Sequence, residues 1–431
     1  MSTNWLQGLA FGVMAAALSW YLSGLPDAEL FEWDKINIWF DSDIPRIVKN
    51  LTVREEGHGG TFKHPLFPLL AWPPTALLTA LVGDEIVAVR LMLAANAATG
   101  ALLLMALLKR LDVRPVDQWT AAGLYMASAA FMFWFGVAET FPFGATTILV
   151  GLWGAVLATE PQSRRNTILL IAIGTLSFSI TITNICAFMA ALGVGLWVYH
   201  GRSDLGAALR RWAIIVMAVV AVTAVLAVIQ DRIFGEAGLF FNIFALMGER
   251  QFIGQEAAMP IWSRPAVLVL GALVVGMWET VPAVNVLSGT QTEIVKLSMP
   301  SYALFPAWRG LLQAAGILGL LAVFLSGLLR AHARGRFETT PERTAILWAS
   351  MLTVVGFSVL HAIYGAEVFL YVAHMLPPLC LVFALALSAA NSVATRLLAV
   401  AALLLIGTHN MLAISEAHVD SSELNSPARS G

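Results

Sequence analysis

Long apolar stretches alternate with short polar ones along almost the whole chain. A helix that crosses a bilayer needs about 20 predominantly apolar residues. The pattern predicts such helices at 5–25, 86–108, 117–138, 142–159, 166–182, 184–199, 211–230, 309–330, 344–362, 367–388 and 396–413. The expected fold is therefore all-α, with about eleven (ten to thirteen) transmembrane helices and juxtamembrane helices on the outer face.

Two further apolar segments are ambiguous. The first, residues 65–83, contains four prolines: Pro65, Pro68, Pro73 and Pro74. Because proline removes a helix hydrogen bond, this segment is predicted to be interfacial or re-entrant. The second, residues 265–283, carries Glu279 and ends near Pro282, and whether it spans stays open.

Basic clusters recur in the short loops and predict the orientation. They contain Lys109, Arg110, Arg114, Arg164, Arg165, Arg202, Arg210, Arg211, Arg330, Arg334, Arg336 and Arg343. Cytoplasmic loops are enriched in lysine and arginine, so these clusters predict the cytoplasmic side. One transmembrane domain, 1–413, is then expected, with a retained first helix, long outer loops at 26–85 and 231–308, and a disordered tail at 414–431.

Composition supports a membrane protein and excludes several other classes. Hydrophobic residues make up 58% and charged residues 12% of the 431 residues, whereas soluble domains carry about 25% charged residues. The net charge of −2 provides no basic surface for nucleic acid. Cys186 and Cys380 lie in apolar runs and are expected to be core residues. Neither a GxxxxGK[ST] phosphate loop nor an HExxH zinc motif is present.

The first polar segment concentrates ionisable residues between two apolar ones. Asp41 and Asp43 precede Arg46, and Lys63 and His64 follow within about twenty residues. In an extended segment the two carboxylates share a face, whereas in a helix they point to different sides. Two nearby carboxylates can divide the roles of base and ligand. The alternative is a solvated acidic loop with a structural histidine.

Further ionisable residues interrupt apolar helices later in the chain. Glu139 follows an aromatic-rich helix, and His361 lies near the end of another. Glu367, Tyr371 and His374 are spaced i, i+4 and i+7, which predicts one helical face. Charged and polar groups at membrane depth are costly unless they meet partners or line a cavity. These residues are therefore candidate substrate ligands, with interfacial or structural roles as the alternative.

Four cations are predicted on the outer side, against the usual charge bias. They are Lys296, Arg309, Arg250 and Arg264. Cations at this surface could bind an anion such as a lipid phosphate. Contact with lipid headgroups is the alternative for each of them.

With these motifs in order, the chain resembles the GT-C superfamily of membrane glycosyltransferases, including protein O-mannosyltransferases and lipid A aminoarabinose transferases. The resemblance covers most of the first 200 residues. It rests on Asp41-Ser42-Asp43-Ile44-Pro45-Arg46, on Lys63-His64-Pro65, on the helix from Val89-Arg90-Leu91 to Lys109-Arg110, and on Ala138-Glu139-Thr140. The family often has Asp-Glu where this chain has Ser42-Asp43, so the choice of catalytic acid stays open.

The resemblance implies transfer of a sugar from a polyprenyl-phosphate donor to a glycan, lipid or protein acceptor. Asp43 best matches the general base, with Asp41 next. The outer cations Arg309, Lys296 and Arg264 would hold the donor phosphate. No cofactor is expected to be required, and a divalent metal at the two aspartates is the alternative. A bacterial inner membrane, with the site facing the periplasm, is the expected location.

Two other functions remain open at this point. A transporter or flippase for a lipid or small solute would use intramembrane charges midway through the bilayer. A polysaccharide polymerase or ligase would use a polyprenyl-linked donor and a long outer loop such as 231–308.

Overall fold

The computed structural model describes residues 3–26, 37–55, 58, 60–201, 204–235, 238–242, 247–253, 260–287, 290–333, 340–365 and 367–425. This part of the chain is almost entirely helical, and its only sheet is one two-stranded antiparallel hairpin. The predicted all-α membrane fold is therefore confirmed at that level.

The first half of the chain contains ten helices in its described part. They are α1 (Thr3–Leu22), α2 (Ile44–Thr52), α3 (Phe67–Val82), α4 (Glu85–Arg110), α5 (Pro115–Ala127), α6 (Ala129–Trp134), α7 (Thr140–Ala158), α8 (Arg164–Ile180), α9 (Asn184–His200) and α10 (Leu205–Phe234).

The second half adds the hairpin and five more helices in its described part. A 3-10 turn at Glu249–Phe252 precedes α11 (Arg264–Leu273), β1 (Glu279–Leu287), β2 (Thr290–Ser298), α12 (Ala307–Ala333) and α13 (Pro341–Ile363). A 3-10 helix at Val368–Met375 then leads into α14 (Leu376–Ala390) and α15 (Val393–Asn425).

The predicted number of about eleven spans is wrong by the criteria of helix length and hydropathy. Seven helical segments in the described residues are long and apolar enough to cross a membrane. They are Glu85–Arg110, Thr140–Ala158, Leu205–Phe234, Ala307–Ala333, Pro341–Ile363, Val368–Ala390 and Val393–Ser421. The predicted span at 5–25 corresponds to the 20-residue α1. Those at 166–182 and 184–199 form helices of 17 residues each, and the one at 117–138 is interrupted, because apolar composition alone does not fix where a helix ends.

Three predicted elements have different boundaries from those expected. The helix predicted at 117–138 breaks at Ser128, whose hydroxyl accepts a 3.1 Å hydrogen bond from the N–H of Phe131 and starts α6. The segment 265–283 divides into the short α11 and strand β1. The tail predicted to be disordered from 414 is helical to Asn425, since α15 continues without a break, and 426–431 lie outside the described residues.

The proline-rich segment forms one continuous helix, α3, with Pro73 and Pro74 inside it. Its 16 residues are fewer than a simple span requires. Gln230 of α10 fixes the start of α3: its amide donates to the Pro65 carbonyl at 2.9 Å and its oxygen accepts from the N–H of Leu69 at 3.0 Å. An interfacial position for α3 stays a prediction.

The basic loops gather at one end of the helix bundle. Arg110 pairs there with Glu160 at 3.1 Å and with Glu342 at 3.3 Å, which links three loops that are distant in sequence. Nearby, the fully buried Asp117 lies between Arg114 at 3.0 Å and Arg396 at 2.8 Å. A buried charge is tolerated only when it is paired, so this cluster ties α5 to α15.

Candidate functional site

A cavity of about 270 Å³ is enclosed by segments from five parts of the chain. Its described lining consists of Asp43, Arg46, Lys63, His64, Glu139, Phe141, Thr181, Ile182, Thr183, Leu360, His361, Tyr364, Leu370, Tyr371 and His374. Eight of these residues are candidates from the sequence: Asp43, Arg46, Lys63, His64, Glu139, His361, Tyr371 and His374. The structure therefore brings together groups that are up to about 330 positions apart.

Asp43 is held in place at the start of α2. Its backbone N–H donates a 2.8 Å hydrogen bond to Oε2 of Glu139, and its carboxylate forms an ion pair with Arg46, one turn later. The apolar face of α2, with Ile44 and Ile47, is buried. This packing fixes the direction in which the Asp43 carboxylate points.

Glu139 is buried, and both of its oxygens are occupied. Oε1 accepts from the N–H of Thr140 at 2.7 Å and from its hydroxyl at 3.0 Å, while Oε2 accepts from Asp43. Burial raises the pKa of Glu139, and the neighbouring Asp43 carboxylate raises it further. Glu139 thus serves as the N-cap of α7 and links it to the first polar segment.

The Arg46 guanidinium fits against a glycine that the sequence analysis did not single out. Gly60 has φ +81°, and a Cβ placed there would lie 2.9 Å from Nη1 of Arg46. Any other residue would be strained by its backbone and would press on the guanidinium. The Gly59-Gly60 doublet is the signal in the sequence that could have indicated this position.

Lys63 and His64 are fixed by backbone hydrogen bonds to the junction of α8 and α9. The N–H of Ile182 donates to the Lys63 carbonyl at 2.9 Å, and the N–H of Leu66 donates to the Ser179 carbonyl at 2.8 Å. The ammonium of Lys63 lies 5.8 Å from the ring centre of Phe252. These contacts bring a cation and an imidazole to one wall of the cavity.

The protonation of His64 follows from its surroundings. Nδ1 is 2.7 Å from the Ile180 carbonyl, and because a carbonyl only accepts, Nδ1 carries the hydrogen. Burial and, to a smaller extent, the charges of Arg46 and Lys63 together lower the pKa of His64 to about 3. The ring is neutral at pH 7, so its Nε2 is an acceptor.

His361, Tyr371 and His374 form the opposite wall. The rings of His361 and Tyr371 stack at 3.9 Å, and the two histidine rings are 6.3 Å apart. His361 and His374 are 2% and 1% exposed. Both nitrogens of each ring have no hydrogen-bond partner in the described part of the chain. Buried polar atoms normally have a partner, which makes this wall a candidate ligand surface.

The predicted common face of Glu367, Tyr371 and His374 is wrong. Residues Val368–Met375 form a 3-10 helix with three residues per turn, not an α-helix. Tyr371 and His374, three apart, therefore lie on the same side and line the cavity. Glu367 precedes this helix, and its carboxylate accepts from the Ser298 hydroxyl at 2.6 Å.

Asp41 and Lys296 also lie outside the described lining. Lys296 of β2 donates to Oδ1 of Asp41 at 2.7 Å, and this ion pair joins the hairpin to the first polar segment. Burial, supported by the nearby charge of Asp41 and opposed by the hydrogen bond from Ser298, raises the pKa of Glu367 to about 7. The structure thus separates Asp43, in the cavity, from Asp41, in a polar cluster beneath the hairpin.

The other two cations predicted to hold a phosphate are engaged elsewhere. Arg264 is buried and donates to the carbonyls of Ala362 and Gly365 at 3.0 and 3.2 Å. Arg309 pairs with Glu416. Neither arginine belongs to the described lining, and a role for them in phosphate binding stays a prediction.

Several lining residues carried no signal that sequence reasoning used. Thr181 and Thr183 flank the turn between α8 and α9, and both hydroxyls are buried without a partner in the described residues. Phe141 packs against His374 with ring centres 5.3 Å apart. The polar Thr-Ile-Thr-Asn break between two apolar helices could have indicated the turn.

A metal at Asp41 and Asp43 stays a prediction. Each carboxylate faces its own cation, Lys296 or Arg46. Within the described residues, no group of three or more histidine, cysteine, aspartate or glutamate side chains could hold a metal ion.

Comparison of the chain with protein-family models, with curated proteins and with solved structures found no match.

Proposed function

We propose that this protein is a membrane glycosyltransferase that moves one sugar from a polyprenyl-phosphate donor to an acceptor hydroxyl. The acceptor would be a glycan, a lipid or a protein. We also propose that the site faces the periplasm at a bacterial inner membrane, since the basic loops lie at the other end of the bundle.

One observation carries the proposal: Asp43, Glu139, Arg46 and Lys63 line a single cavity. A transferase of this kind needs a base for the incoming hydroxyl and cations for the phosphate that leaves. Asp43 supplies the base, and its ion pair with Arg46 orients the carboxylate. Both cations belong to the same cavity lining as the base, so a sugar phosphate bound in the cavity would lie near all three.

In the proposed step, the Asp43 carboxylate takes the proton from the acceptor hydroxyl. The hydroxyl oxygen attacks the anomeric carbon of the sugar and forms the new glycosidic bond. The bond from the anomeric carbon to the phosphate oxygen breaks, and its electron pair leaves with the polyprenyl phosphate. Arg46 and Lys63 stabilise the negative charge that develops on the phosphate.

The partners of Asp43 keep it suited to this role. Glu139 accepts from the backbone N–H of Asp43 and not from its carboxylate, so the Asp43 oxygens remain for Arg46 and for substrate. The Asp43 side chain is 28% exposed, whereas Glu139 is 2% exposed. Asp43 is therefore the accessible acid of the pair, and Glu139 is a positioning residue.

The volume of the cavity favours transfer of a single sugar over transfer of a whole chain. Pockets for drug-sized ligands occupy about 300–1,000 Å³, and this cavity has about 270 Å³. A polymerase or ligase would need room for an extended glycan on at least one side. A transporter would need no base positioned beside two cations.

The test compares Asp43→Asn with Asp41→Asn in a deletion strain, at equal protein level. Surface glycans and lipids are analysed by mass spectrometry. We expect one sugar mass to disappear in the deletion strain, to return with Asp41→Asn and to stay absent with Asp43→Asn. Loss of a general base typically lowers the rate by about 10²–10⁴.

Asp41→Asn is a matched control because it makes the same chemical change two residues away. Asp41 has φ +63°, and asparagine also tolerates this conformation. If Asp43→Asn restores the sugar as well as the wild-type protein does, Asp43 is not the base. If the deletion changes no glycan or lipid, the transferase proposal is wrong and a transporter is favoured.

A further inference from the structure

The cavity has two walls of different chemistry. By chemistry the lining divides into a charged wall, with Asp43, Arg46, Lys63 and Glu139, and an imidazole wall, with His361, Tyr371 and His374. His64 lies at the junction, next to Lys63 in sequence and close enough to His374 for the two rings to interact electrostatically. The charged wall accounts for a phosphate and a base, and the imidazole wall is left without a role.

Several buried polar atoms of the cavity lining, most of them on the imidazole wall, have no hydrogen-bond partner in the described residues. In the described residues, these are Nδ1 and Nε2 of His361, Nδ1 and Nε2 of His374, Oγ1 of Thr181 and Oγ1 of Thr183. A buried polar atom that is left without a hydrogen-bond partner destabilises the folded protein. Ordered water can satisfy such atoms in the unloaded protein, and a ligand that replaces the water must offer similar donors and acceptors.

Each of these groups both donates and accepts. A neutral imidazole has one N–H donor and one acceptor nitrogen, and a threonine hydroxyl has one donor and two lone pairs. His64 has Nδ1 committed to the Ile180 carbonyl, so its Nε2 only accepts. A sugar hydroxyl, which also donates and accepts, can pair with every one of these atoms.

A charged sugar does not fit this wall. A carboxylate only accepts, so it cannot pair with the acceptor Nε2 of His64. Of the two cations in the described lining, Arg46 is already paired with Asp43, and in the proposed reaction both Arg46 and Lys63 hold the donor phosphate. Burying a second anion against neutral rings would be costly. An ammonium group would have no carboxylate of its own, since both oxygens of Glu139 are occupied and the Asp43 carboxylate is paired with Arg46 and serves as the base.

We infer that the cavity selects an uncharged, hydroxyl-bearing sugar, which His361, His374 and His64 recognise through its hydroxyls. This inference rests on the proposed function and names the substrate class of the same site. The ring of Tyr371 stacks on the ring of His361 and holds it in place. The ring of Phe141 supports the ring of His374. The three histidines are specificity-determining residues, and Asp43 remains the base.

The experiment measures binding of three lipids to the full chain in nanodiscs. The probes are decaprenyl phosphate, decaprenyl-phosphate-glucose and decaprenyl-phosphate-glucuronic acid. The two conjugates differ only in a CH₂OH group or a carboxylate on the sugar. We expect glucose to increase affinity about tenfold over the bare lipid, which corresponds to about 1.4 kcal/mol, and glucuronic acid to give no gain. This comparison needs no variant.

The variants His361→Phe and His374→Phe keep an aromatic ring and remove both nitrogens. We expect each to lower the affinity for the glucose conjugate about tenfold and to leave the affinity for bare decaprenyl phosphate unchanged. His332→Phe is the matched control, because His332 is exposed near the far end of α12. It should bind all three probes as the wild-type protein does.

The outcomes separate the two proposals. If none of the three lipids binds, the proposed function fails and the inference fails with it. If the bare lipid binds but glucuronic acid matches or exceeds glucose, or neither sugar increases affinity, the selection of a neutral sugar is overturned while the proposed function stands. The same holds if the phenylalanine variants weaken all three probes equally, since the histidines would then act only through the fold.

Discussion

The backbone N–H of Asp43 donates a 2.8 Å hydrogen bond to Oε2 of Glu139, across 96 positions of sequence. This bond joins the start of α2 to the start of α7 and fixes the proposed base relative to the helix bundle. Because the carboxylate of Asp43 does not take part in the bond, the proposed base remains available to substrate.

Glu139→Gln tests this connection. Both oxygens of Glu139 accept hydrogen bonds from N–H groups, and an amide would direct its own NH₂ at one of those donors. We expect the free energy of unfolding to fall by about 1–3 kcal/mol and transfer to decrease. Thermal unfolding in detergent and the glycan assay measure the two effects.

Glu160→Gln makes the same change at a surface position. Glu160 is 38% exposed and pairs with Arg110 at the other end of the bundle. A surface ion pair contributes about 0–1 kcal/mol, so this variant should unfold close to the wild-type temperature. Equal losses in the two variants would contradict a special role for Glu139.

Gly60→Ala tests the space that Arg46 occupies. Alanine at φ +81° is strained by about 1–2 kcal/mol, and its Cβ would also press on Nη1 of Arg46. We expect lower stability together with reduced transfer, since Arg46 orients Asp43. Unfolding temperature and transfer rate are measured on the same preparation.

Gly83→Ala is the control for Gly60→Ala. Gly83 has φ +75°, and nothing lies within 4 Å of the position of its Cβ. It should show the backbone strain alone, with transfer at the wild-type rate. A similar loss of transfer in both variants would mean that strain, and not the position of Arg46, explains the effect.

The hydrophobic pattern predicted the long helices well and their interruptions poorly. The span predicted at 86–108 is observed as Glu85–Arg110, because about twenty predominantly apolar residues favour one continuous helix in a bilayer. The break at Ser128 and the 3-10 helix at Val368–Met375 depend on hydrogen bonds and packing between distant segments, which a periodic pattern does not report.

The sequence predicted site residues at positions where a polar side chain stands in an apolar helix, because such a side chain is costly to bury without a partner. His361 and His374 were identified as candidates in this way. Thr181 was missed because threonine is ordinary in such helices. The choice between Asp41 and Asp43 depends on Lys296, 255 positions from Asp41, and no local pattern contains that pairing.

A double-mutant cycle with Asp41→Asn and Lys296→Met tests whether that pair is structural. The two side chains are 28% and 18% exposed, so a coupling energy of about 0.2–1 kcal/mol is expected for partly screened charges. Unfolding of both single variants and the double variant gives the coupling. A strong loss of transfer in Lys296→Met, without loss of stability, would instead support the predicted role of Lys296 at the donor phosphate.

The buried carboxyl of Glu367 makes stability depend on pH. Burial raises its pKa from 4.5 to about 7, so the folded protein holds a proton there that the unfolded chain releases between these pH values. Stability therefore falls as pH rises from about 4.5 to about 7, by at most about 1.4 kcal/mol per pH unit, and this contribution is constant above pH 7.

Glu367→Gln removes this contribution, and the difference between the variant and the wild-type protein isolates it. The difference is needed because His64, whose pKa is lowered to about 3, has the opposite effect: its stability contribution increases as pH rises towards 6.5. We expect the variant to gain stability relative to wild type between pH 5 and pH 7. If the free energies of unfolding of the two proteins change with pH in the same way across that range, Glu367 is ionised throughout and its charge is stabilised by Ser298 and the nearby Lys296.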